Sequence, residues 1–410
     1  MKILLINNYF PPEIGAASHL YFSLGKELAK RGHEVFVITG IPRYNISKEI
    51  YEKYLNEFKP IEKIDKINVI RIKLPFIERK RRIRRGFEHF EVAYKMKKRS
   101  LKYLDSIDVA LVYSPPITLS WTAKELKKKF HFPFILNVQD LFPQSVIDLG
   151  MMNNSLIISF FKKLEKKSYL WADLITVHSQ KNLEHVAKIL GNQTKVSVIE
   201  NWIDVEEVTP GEKENEFSEK HDLGNDFIVS FAGTLGFSQD LDVILEAAKI
   251  TEGKPIKYII VGNGVQLEHV KSKVNELNLD NVKLIPPVSK EEYPYVLQSS
   301  DVSLATLKKE VRTPTVPSKI MSIMSAGIPL IACVNMDGDV PEIIKRAQSG
   351  FALQAGDAKG LAEKILVLYR NPDLREKLGS NGRNYVEKKL SVEIAAEKYE
   401  NLFKRIIECY

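Results

Sequence analysis

The sequence predicts an α/β protein built from two doubly wound parallel sheets. Strand-like apolar runs alternate with amphipathic helical patterns along almost all of the 410 residues. Most of these runs are continuously apolar, as is usual for parallel strands that helices cover on both faces. The acid-rich segment 205–226, which contains Pro210 and Gly211, divides the alternation into two series and is predicted to be a linker.

The first series opens with a strand–helix–strand unit. A buried strand is predicted at 2–7, an amphipathic helix at 17–31 that ends at Gly32, and a second strand at 34–39. Five further strands are predicted at 67–74, 108–113, 133–138, 174–178 and 196–199. We therefore expect a first domain at 1–204.

The second series gives a second domain at 227–385, and a separate C-terminal helix is predicted at 386–410. The strands of the second domain are predicted at 227–232, 256–261, 282–285, 301–305 and 328–333. In sheets of this kind a ligand binds beyond the carboxyl ends of the strands. We therefore expect the ligand in a crevice between the two domains.

The composition is that of an ordinary soluble protein, with 44% apolar and 27% charged residues. No apolar run reaches the roughly 18 residues that a membrane span requires, and the opening MKILLIN is too short for a signal peptide. Two cysteines are too few for a disulfide framework or a metal cluster. The sequence thus predicts a cytoplasmic protein, and its net charge of +8 favours anionic partners such as nucleotides, lipids or nucleic acid.

The segment 311–333 combines a loop, a helix, a glycine turn and a strand. Pro317 and Ser318 suit the entry to a helix, and the Ser318 side chain can supply an N-cap oxygen. The helix is predicted to end at Gly327. Free N–H groups at its N-terminus, together with the charge of Lys319, favour a bound phosphate. Ordinary α/β packing produces the same pattern, so this segment alone does not establish a site.

Three loops with small residues follow predicted strands. The first, 7–17, contains Gly15 and Ala16, and the others contain Gly233–Gly236 and Gly262–Gly264. Such loops either let a ligand approach the backbone or only make tight connections. None has the full G-x-G-x-x-G spacing, so the sequence does not indicate a dinucleotide cofactor.

A set of motifs resembles one known family along nearly the whole chain. The motifs are FPPEIGAA with HLYFSLGKELAKRGHEVFVIT, NVQDLFPQS, ADLITVHSQ, VIENWID, FAGTLGFSQDLDVILEAA, VGNG, SSDVSLATL, VPSKIMSIMSAGIPLIA and LGSNGRNYV. The chain resembles the family 4 retaining glycosyltransferases of GT-B architecture, in which two Rossmann-like domains face a central cleft. NVQDLFPQS is similar to a block of the subgroup that builds surface polysaccharides and lipid-linked glycans.

The resemblance implies transfer of a hexosyl or N-acetylhexosaminyl group from a nucleoside-diphosphate sugar, with retained anomeric configuration and with neither a cofactor nor a metal ion. UDP- and GDP-sugars are the expected donors. The first domain would bind the acceptor and the second the donor, and the C-terminal helix would cross back to the first domain.

The matching positions imply where the donor binds. Gly15 and Ala16 would face the diphosphate from the first domain. The residues that would hold it from the second domain are Gly233, Thr234, Ser318 and Lys319. Gly262–Gly264 and Val288 would lie near the nucleoside. The donor set implied in full is Gly15, Ala16, Gly233, Thr234, Gly262, Asn263, Gly264, Val288, Arg312, Val316, Pro317, Ser318, Lys319 and Ser322.

Two departures from the family pattern affect this donor site. The family has glutamates eight residues apart where this chain has Pro314 and Ser322, and the second of them normally holds the ribose. Many members also have a basic residue where this chain has 238–240, and Lys319 or Arg312 could replace its charge. These exchanges keep one alternative open, a noncatalytic GT-B subunit that binds a partner glycosyltransferase or a nucleotide. Another GT-B enzyme, a nucleotide-sugar epimerase, is a further alternative.

Asp140 is the second candidate catalytic residue besides Lys319. It follows a predicted strand within NVQDLF, at a place where relatives often have His-Asp, and could orient or deprotonate the acceptor hydroxyl. The alternative is an aspartate that caps a helix or closes a turn.

The segment 79–103 mixes basic residues with apolar and aromatic ones. Its candidate membrane and acceptor residues are Arg81, Arg82, Arg84, Arg85, Phe87 and Phe90. A basic amphipathic helix binds an anionic membrane, where a polyprenyl-linked glycan acceptor would reside. A solvated helix face is the alternative, and no recognised nucleic-acid-binding module accompanies these charges. We therefore expect a peripheral protein on the inner face of the cell membrane that binds no nucleic acid.

Overall fold

The chain forms two compact units, each built on one sheet. The structure is a computed structural model that describes residues 1–44, 46–76, 82–224 and 226–410, with only the backbone described for 82–87. The first unit comprises Met1–Val146, Met152–Asn201 and Val392–Tyr410, and the second comprises Ile147–Met151 and Trp202–Ser391. The prediction of two parallel-sheet α/β domains is confirmed.

The first unit contains an eight-stranded sheet. Its strands are β1 (Lys2–Ile6), β2 (Glu34–Gly40), β3 (Ile61–Ile64), β4 (Ile67–Ile72), β5 (Val109–Ser114), β6 (Phe134–Val138), β7 (Leu174–Val177) and β8 (Val196–Val198). The helices found along this part of the chain are α1 (Ala16–Lys30), α2 (Lys48–Asn56), α3 (Arg82–Tyr103), α4 (Leu119–Phe130), α5 (Gln144–Asp148), α6 (Ser155–Trp171) and α7 (Gln180–Leu190).

The strand order of this sheet is β3-β4-β2-β1-β5-β6-β7-β8. Every neighbouring pair is parallel except β3 with β4. The apolar residues of β1, β5 and β6 are buried, which agrees with their continuously apolar sequences. The order reverses between β1 and β5, so the loops that follow these two strands flank the switch point where ligands bind in such sheets.

The second unit contains a six-stranded sheet that is parallel throughout. Its strands are β9 (Phe227–Ala232), β10 (Ile256–Val261), β11 (Val282–Ile285), β12 (Val302–Thr306), β13 (Leu330–Val334) and β14 (Gly350–Gln354), in the order β11-β10-β9-β12-β13-β14. The helices are α8 (Glu216–Lys220), α9 (Asp242–Ile250), α10 (Leu267–Glu276), α11 (Tyr293–Gln298), α12 (Lys319–Ser325), α13 (Asp339–Ala347), α14 (Ala358–Tyr369) and α15 (Pro372–Lys389). The switch point of this sheet lies between β9 and β12.

The segment 205–226, expected to be a linker, lies within the second unit. It contains α8, whose N-terminus carries a capping box between Asn215 and Ser218. Val205 and Val208 are buried in an apolar cluster with residues of α12 and β13. The segment differs from a solvated linker because its apolar residues pack against the second sheet.

The last helix, α16 (Val392–Glu408), belongs to the first unit, whereas α15 belongs to the second. The Tyr399 hydroxyl accepts a hydrogen bond from Asn137 Nδ2 at 3.1 Å, and Glu400 pairs with Arg31 at 2.9 Å and with His33 at 2.6 Å. The chain thus enters the first unit at 392, six residues beyond the expected boundary. No helix among the described residues combines the length and the apolar content needed to cross a bilayer.

Candidate functional site

Gly233, Thr234 and the segment that leads into α12 lie at the carboxyl ends of the two central strands of the second unit, β9 and β12. Residues 233–239 follow β9, and residues 307–318 lead from β12 into α12. The backbone N–H of Lys308 donates to Ser238 O at 2.9 Å, which joins these two loops directly. The topology therefore places Gly233 and Lys319 at one edge of the sheet, beside the switch point.

The amine of Lys319 lies over an aromatic ring at this edge. Its Nζ is 3.3 Å from the centroid of the Phe231 ring and 3.5 Å from Gln239 Oε1. Within the described part of the chain, no carboxylate lies within ion-pair distance of this amine. An aromatic face and an amide oxygen favour the protonated amine and carry no opposite charge, so the cation is not neutralised and can pair with an anionic ligand.

The environment of Lys319 also changes its proton affinity. Although part of the side chain remains exposed, burial lowers the pKa of the Lys319 amine to about 7. The Phe231 ring opposes this shift because it attracts the protonated form. An anion bound beside Nζ would favour the protonated form further and would raise the pKa again.

The glycine loops of the second unit pack against each other. Gly262 has φ 146°, and a Cβ placed on it would collide with the carbonyl oxygen of Gly233. A Cβ on Gly264 would collide in the same way with Leu235 O. Close approach of two backbone segments is thus sufficient to explain Gly262 and Gly264, and their predicted contact with a nucleoside stays a prediction. The side chain of Asn263 is exposed and accepts the Gly264 N–H at 2.7 Å.

The start of α12 differs from the prediction. Ser318 occupies the N-cap position, but it has helical dihedral angles and its side chain makes no capping bond, so the expected N-cap oxygen is not used. The amides of Ile320 and Met321 donate to Pro317 O and Ser318 O. The helix has seven residues and ends at Ser325. A helix this short has a weaker dipole than the predicted helix, which extended to Gly327. Binding of a phosphate would therefore depend more on the charge of Lys319. Val316 is buried in an apolar cluster with Ile320 and Met321 of this helix.

Ser322, which replaces the family glutamate, is paired with a tyrosine that the sequence analysis missed. The Ser322 side chain lies close enough to the Tyr293 hydroxyl to favour its ionised form, but burial dominates and raises the pKa of Tyr293 to about 12. Tyr293 also packs against the apolar cluster that Val288 contacts. Two neutral hydroxyls thus lie near the position where the family has a carboxylate. Arg312 and Pro314 lie elsewhere, in the lining of a small cavity with Asn335 and Asp337.

In the first unit, Gly15 and Ala16 form the N-terminus of α1. Gly15 is the N-cap, with an extended backbone, and it offers no side chain to cap the helix. The first turn contains no acidic residue. The first N–H groups of this 15-residue helix therefore have no partner within the helix and suit an anion.

A buried polar cluster holds the loop that leads to Gly15. Glu13 accepts the backbone N–H groups of Phe10, Arg43 and Tyr44, and it is buried. Arg43, also buried, pairs with Glu88. The motif FPPEIG was noted for its glycine, whereas the role of Glu13 depends on residues about thirty positions further along the chain.

Asp140 lies two residues after β6, near the carboxyl ends of the first sheet. Its side chain is exposed, and no described residue donates a hydrogen bond to its carboxylate. Only its backbone is engaged, since its carbonyl accepts the Phe142 N–H at 2.9 Å. The alternative of a capping aspartate is therefore not supported, and a role towards the acceptor stays a prediction.

The basic segment 79–103 is described only in part. Arg81 lies outside the described residues, and the side chains of Arg82, Arg84, Arg85 and Phe87 are also not described. Further along α3, Val92 and Met96 are fully buried in the core of the first unit, so this part of the apolar stripe packs inwards. Phe90 remains exposed.

Comparison with known proteins places both units in glycosyltransferase families. The profile "Glycosyltransferase Family 4" matches residues 15–207, and "Glycosyl transferases group 1" matches residues 212–385, so together they account for most of the chain. Among curated proteins, the probable glycosyltransferase WbjE of Pseudomonas aeruginosa is 25% identical over 334 residues, covering 80% of this chain and 82% of WbjE. N-acetyl-alpha-D-glucosaminyl L-malate synthase of Bacillus anthracis is 20% identical over 405 residues, which cover 97% of this chain and 95% of the synthase. Among solved structures, Anabaena HepE in complex with UDP superposes with a TM-score of 0.72 at 15% identity, covering 99% of this chain and 100% of HepE.

Proposed function

This chain is a glycosyltransferase of family 4, and we propose that its donor is a UDP- or GDP-sugar from which it transfers a hexosyl or N-acetylhexosaminyl group, with retention, to a polyprenyl-linked glycan. The glycan would belong to a surface polysaccharide, and the enzyme would bind to the inner face of the cell membrane from the cytoplasm. The donor proposal is supported by HepE, whose structure contains UDP, and by the glucosaminyl group in the name of the Bacillus anthracis relative.

One observation carries the donor proposal: the amine of Lys319 at the edge formed by β9 and β12, with no carboxylate partner among the described residues. In the reaction, the bond between the anomeric carbon and the diphosphate oxygen breaks, and the diphosphate leaves with additional negative charge. Lys319 would stabilise this charge from the second unit. The N–H groups at the start of α1 have the same polarity and are proposed to contribute from the first unit.

The acceptor hydroxyl forms the new bond to the anomeric carbon and loses its proton. We assign the orientation of this hydroxyl, and the removal of its proton, to Asp140, whose carboxylate has no donor among the residues that the structure describes. With cationic and N–H groups available for the diphosphate, the proposed reaction requires neither a metal ion nor a cofactor.

The experiment that tests this function begins with binding. A panel of nucleoside diphosphates and their sugars is screened by thermal shift, because a ligand that binds only the folded protein raises its melting temperature. We expect one nucleoside diphosphate and one of its sugars to stand out. The selected donor is then incubated with polyprenyl-diphosphate-linked glycans, and the product is identified.

A new glycosidic bond with retained configuration supports the proposal. Release of a free epimerised sugar would instead identify a nucleotide-sugar epimerase. Strong donor binding with no turnover on any acceptor would identify a noncatalytic subunit, an outcome for which Pro314 and Ser322 provide a specific reason. Failure of every nucleotide to shift the melting temperature would contradict the donor proposal.

A further inference from the structure

The first two turns of α6 expose large apolar side chains to solvent. The exposed fraction is 80% for Leu156, 47% for Ile157 and 52% for Phe160. These turns, SLIISF, contain no charged residue, and all of their residues except Ile158 are exposed. Single exposed apolar residues are common, but a contiguous group of them usually marks a binding surface.

A second helix extends this surface. Phe90 of α3 is 42% exposed, and its ring centroid lies 6.4 Å from that of Phe160. We refer to Leu156, Ile157, Phe160 and Phe90 as the apolar tip. Because both helices belong to the first unit, the apolar tip is a feature of that unit alone.

Positive charge follows the apolar tip along α6. The next two turns carry four exposed lysines, Lys162, Lys163, Lys166 and Lys167, and none of them forms a salt bridge within the described residues. The one acidic residue of α6, Glu165, is buried, and the Tyr169 hydroxyl donates to its carboxyl at 2.8 Å. Burial raises the pKa of Glu165 to about 7, so a large part of this carboxyl is neutral at physiological pH.

We propose that the apolar tip inserts into the interfacial region of an anionic lipid bilayer, with the four lysines at the level of the headgroups. This inference rests on the proposed function, which locates the acceptor in a membrane. It differs from docking by the basic segment 79–103 because it assigns insertion to α6.

The dimensions and charges of α6 support a bilayer over other partners. Six residues of α helix extend about 9 Å, which matches the roughly 5–10 Å by which apolar faces enter the headgroup boundary. Lysines just behind an apolar end suit anionic headgroups, because their stems remain in the apolar layer while their amines reach the phosphates. A second copy of this chain is a poorer occupant, since face-to-face contact would bring two groups of four lysines together.

The test compares two positions on one helix. The triple variant Leu156→Ser, Ile157→Ser, Phe160→Ser removes the apolar tip from α6. The matched control is Leu170→Ser, since Leu170 is 56% exposed on the same helix and lies 14 residues, or about 21 Å, from Leu156. Sedimentation is measured with vesicles of phosphatidylcholine alone and with added phosphatidylglycerol.

We expect the wild-type protein to sediment with the anionic vesicles and the triple variant to bind at least roughly tenfold more weakly, as loss of buried apolar surface implies. Leu170→Ser should bind like the wild type. Equal binding by the triple variant would overturn the inference. Equal losses of vesicle binding in the triple variant and in Leu170→Ser would show that α6 lies flat on the membrane. Concentration-dependent dimers that the triple variant abolishes would show self-association through the apolar tip. Either result would also overturn the inference.

Nucleotide binding separates this inference from the proposed function. The same proteins are tested by thermal shift with the nucleoside diphosphate selected above, a measurement that needs no membrane. A normal shift in the triple variant also demonstrates that it is folded. A wild-type protein that binds vesicles through the apolar tip but binds no nucleotide would keep the inference and contradict the donor proposal.

Discussion

The carboxylate of Glu13 accepts the backbone N–H of Arg43 at 2.9 Å, which joins the loop after β1 to the loop after β2. The same oxygen accepts the N–H of Tyr44 at 2.9 Å, and the other oxygen accepts that of Phe10 at 3.0 Å. These three donors favour the ionised carboxylate, but burial dominates and raises the pKa of Glu13. Glu13 therefore fixes the loop that presents Gly15 without itself facing solvent.

Replacing Glu13 with Ala should destabilise the first unit. Two buried N–H groups and the partly buried N–H of Tyr44 would lose their acceptor, and leaving even one buried group unpaired costs about 1–3 kcal/mol. We expect the free energy of unfolding in urea to fall by at least this amount. Glu57→Gln, a change of an exposed carboxylate in the same unit, is the control and should have no measurable effect. An unchanged unfolding midpoint for Glu13→Ala would show that water replaces the carboxylate.

The sequence was sufficient to predict most of the two sheets, because parallel strands covered on both faces are continuously apolar. The prediction at 227–232 coincides with β9, and that at 2–7 exceeds β1 by one residue. β3 was missed because it is a four-residue antiparallel edge strand, none of whose residues is buried, with two charged residues between its two isoleucines. β14 was missed because it is only half-buried and opens with a glycine. Neither strand has the apolar run on which the prediction depended.

The candidate site was less predictable, because its contacts join residues that are distant in sequence. Lys319 was identified from its place after Pro317, yet its partners Phe231 and Gln239 lie about eighty residues earlier. Likewise, the Tyr293 hydroxyl reaches Ser322 from another helix. Strand periodicity locates the edge of a sheet, but it does not specify which side chains meet there.

Asp140→Asn should lower turnover while leaving affinity for the nucleoside diphosphate nearly unchanged. The amide keeps the shape of the side chain but cannot remove a proton from the acceptor hydroxyl, a contribution of typically about 10²–10⁴-fold. Steady-state rates and equilibrium binding measure the two effects separately. Asp105→Asn, which alters an exposed carboxylate just before β5 at the opposite edge of the sheet, is the control. Unaltered turnover would leave Asp140 as a surface residue of the loop after β6.

The hydroxyls of Tyr293 and Ser322 are expected to bind the ribose in place of the family glutamate. Tyr293→Phe and Ser322→Ala should each reduce the preference for the ribonucleoside diphosphate over its 2′- and 3′-deoxy analogues by about three- to tenfold, the value of one neutral hydrogen bond. Ser322→Glu should increase this preference, because a carboxylate accepts more strongly. Calorimetry with the three nucleotides gives the ratios. Tyr295→Phe is the control, because Tyr295 is exposed on the same helix as Tyr293. If all variants kept the wild-type ratio of ribonucleotide to deoxynucleotide affinity, the ribose would have to bind elsewhere.

Replacing Arg81, Arg82, Arg84 and Arg85 with Ser should release the enzyme from anionic vesicles. Each basic residue near such a surface contributes about 1 kcal/mol, so four replacements are sufficient to shift the binding equilibrium. The effect should be largest at low salt, because exposed charges are screened within about 10 Å at 0.1 M. The control is a double variant in the second unit, in which Lys345 and Arg346 are both replaced by Ser. Wild-type protein that stays in solution with anionic vesicles at low salt would contradict this prediction.

Lys319 should take up a proton when a diphosphate binds. Its amine has a pKa of about 7 in the folded protein against an ordinary value of 10.5. Between these values the unfolded chain holds a proton that the folded protein has lost, so the contribution of Lys319 to the free energy of unfolding increases with pH across this window. A bound diphosphate should restore the charge. Calorimetry at about pH 8.5, in two buffers of different ionisation enthalpy, should show an uptake approaching one proton, which Lys319→Met abolishes.

The same amine should matter most when the diphosphate leaves. Its attraction to the ligand grows as negative charge develops on the diphosphate, so Lys319→Ala should reduce turnover by roughly 10²-fold or more while weakening binding of the intact donor by less. Lys319→Arg should restore only part of the rate, because the larger guanidinium holds its charge in a planar fork and does not fit the place above Phe231. Lys308→Ala, a change in the adjoining loop, controls for net charge. If Lys319→Ala left turnover, affinity and proton uptake unchanged, the amine would be a partly buried surface group, and the diphosphate would have to be bound away from the β9–β12 edge.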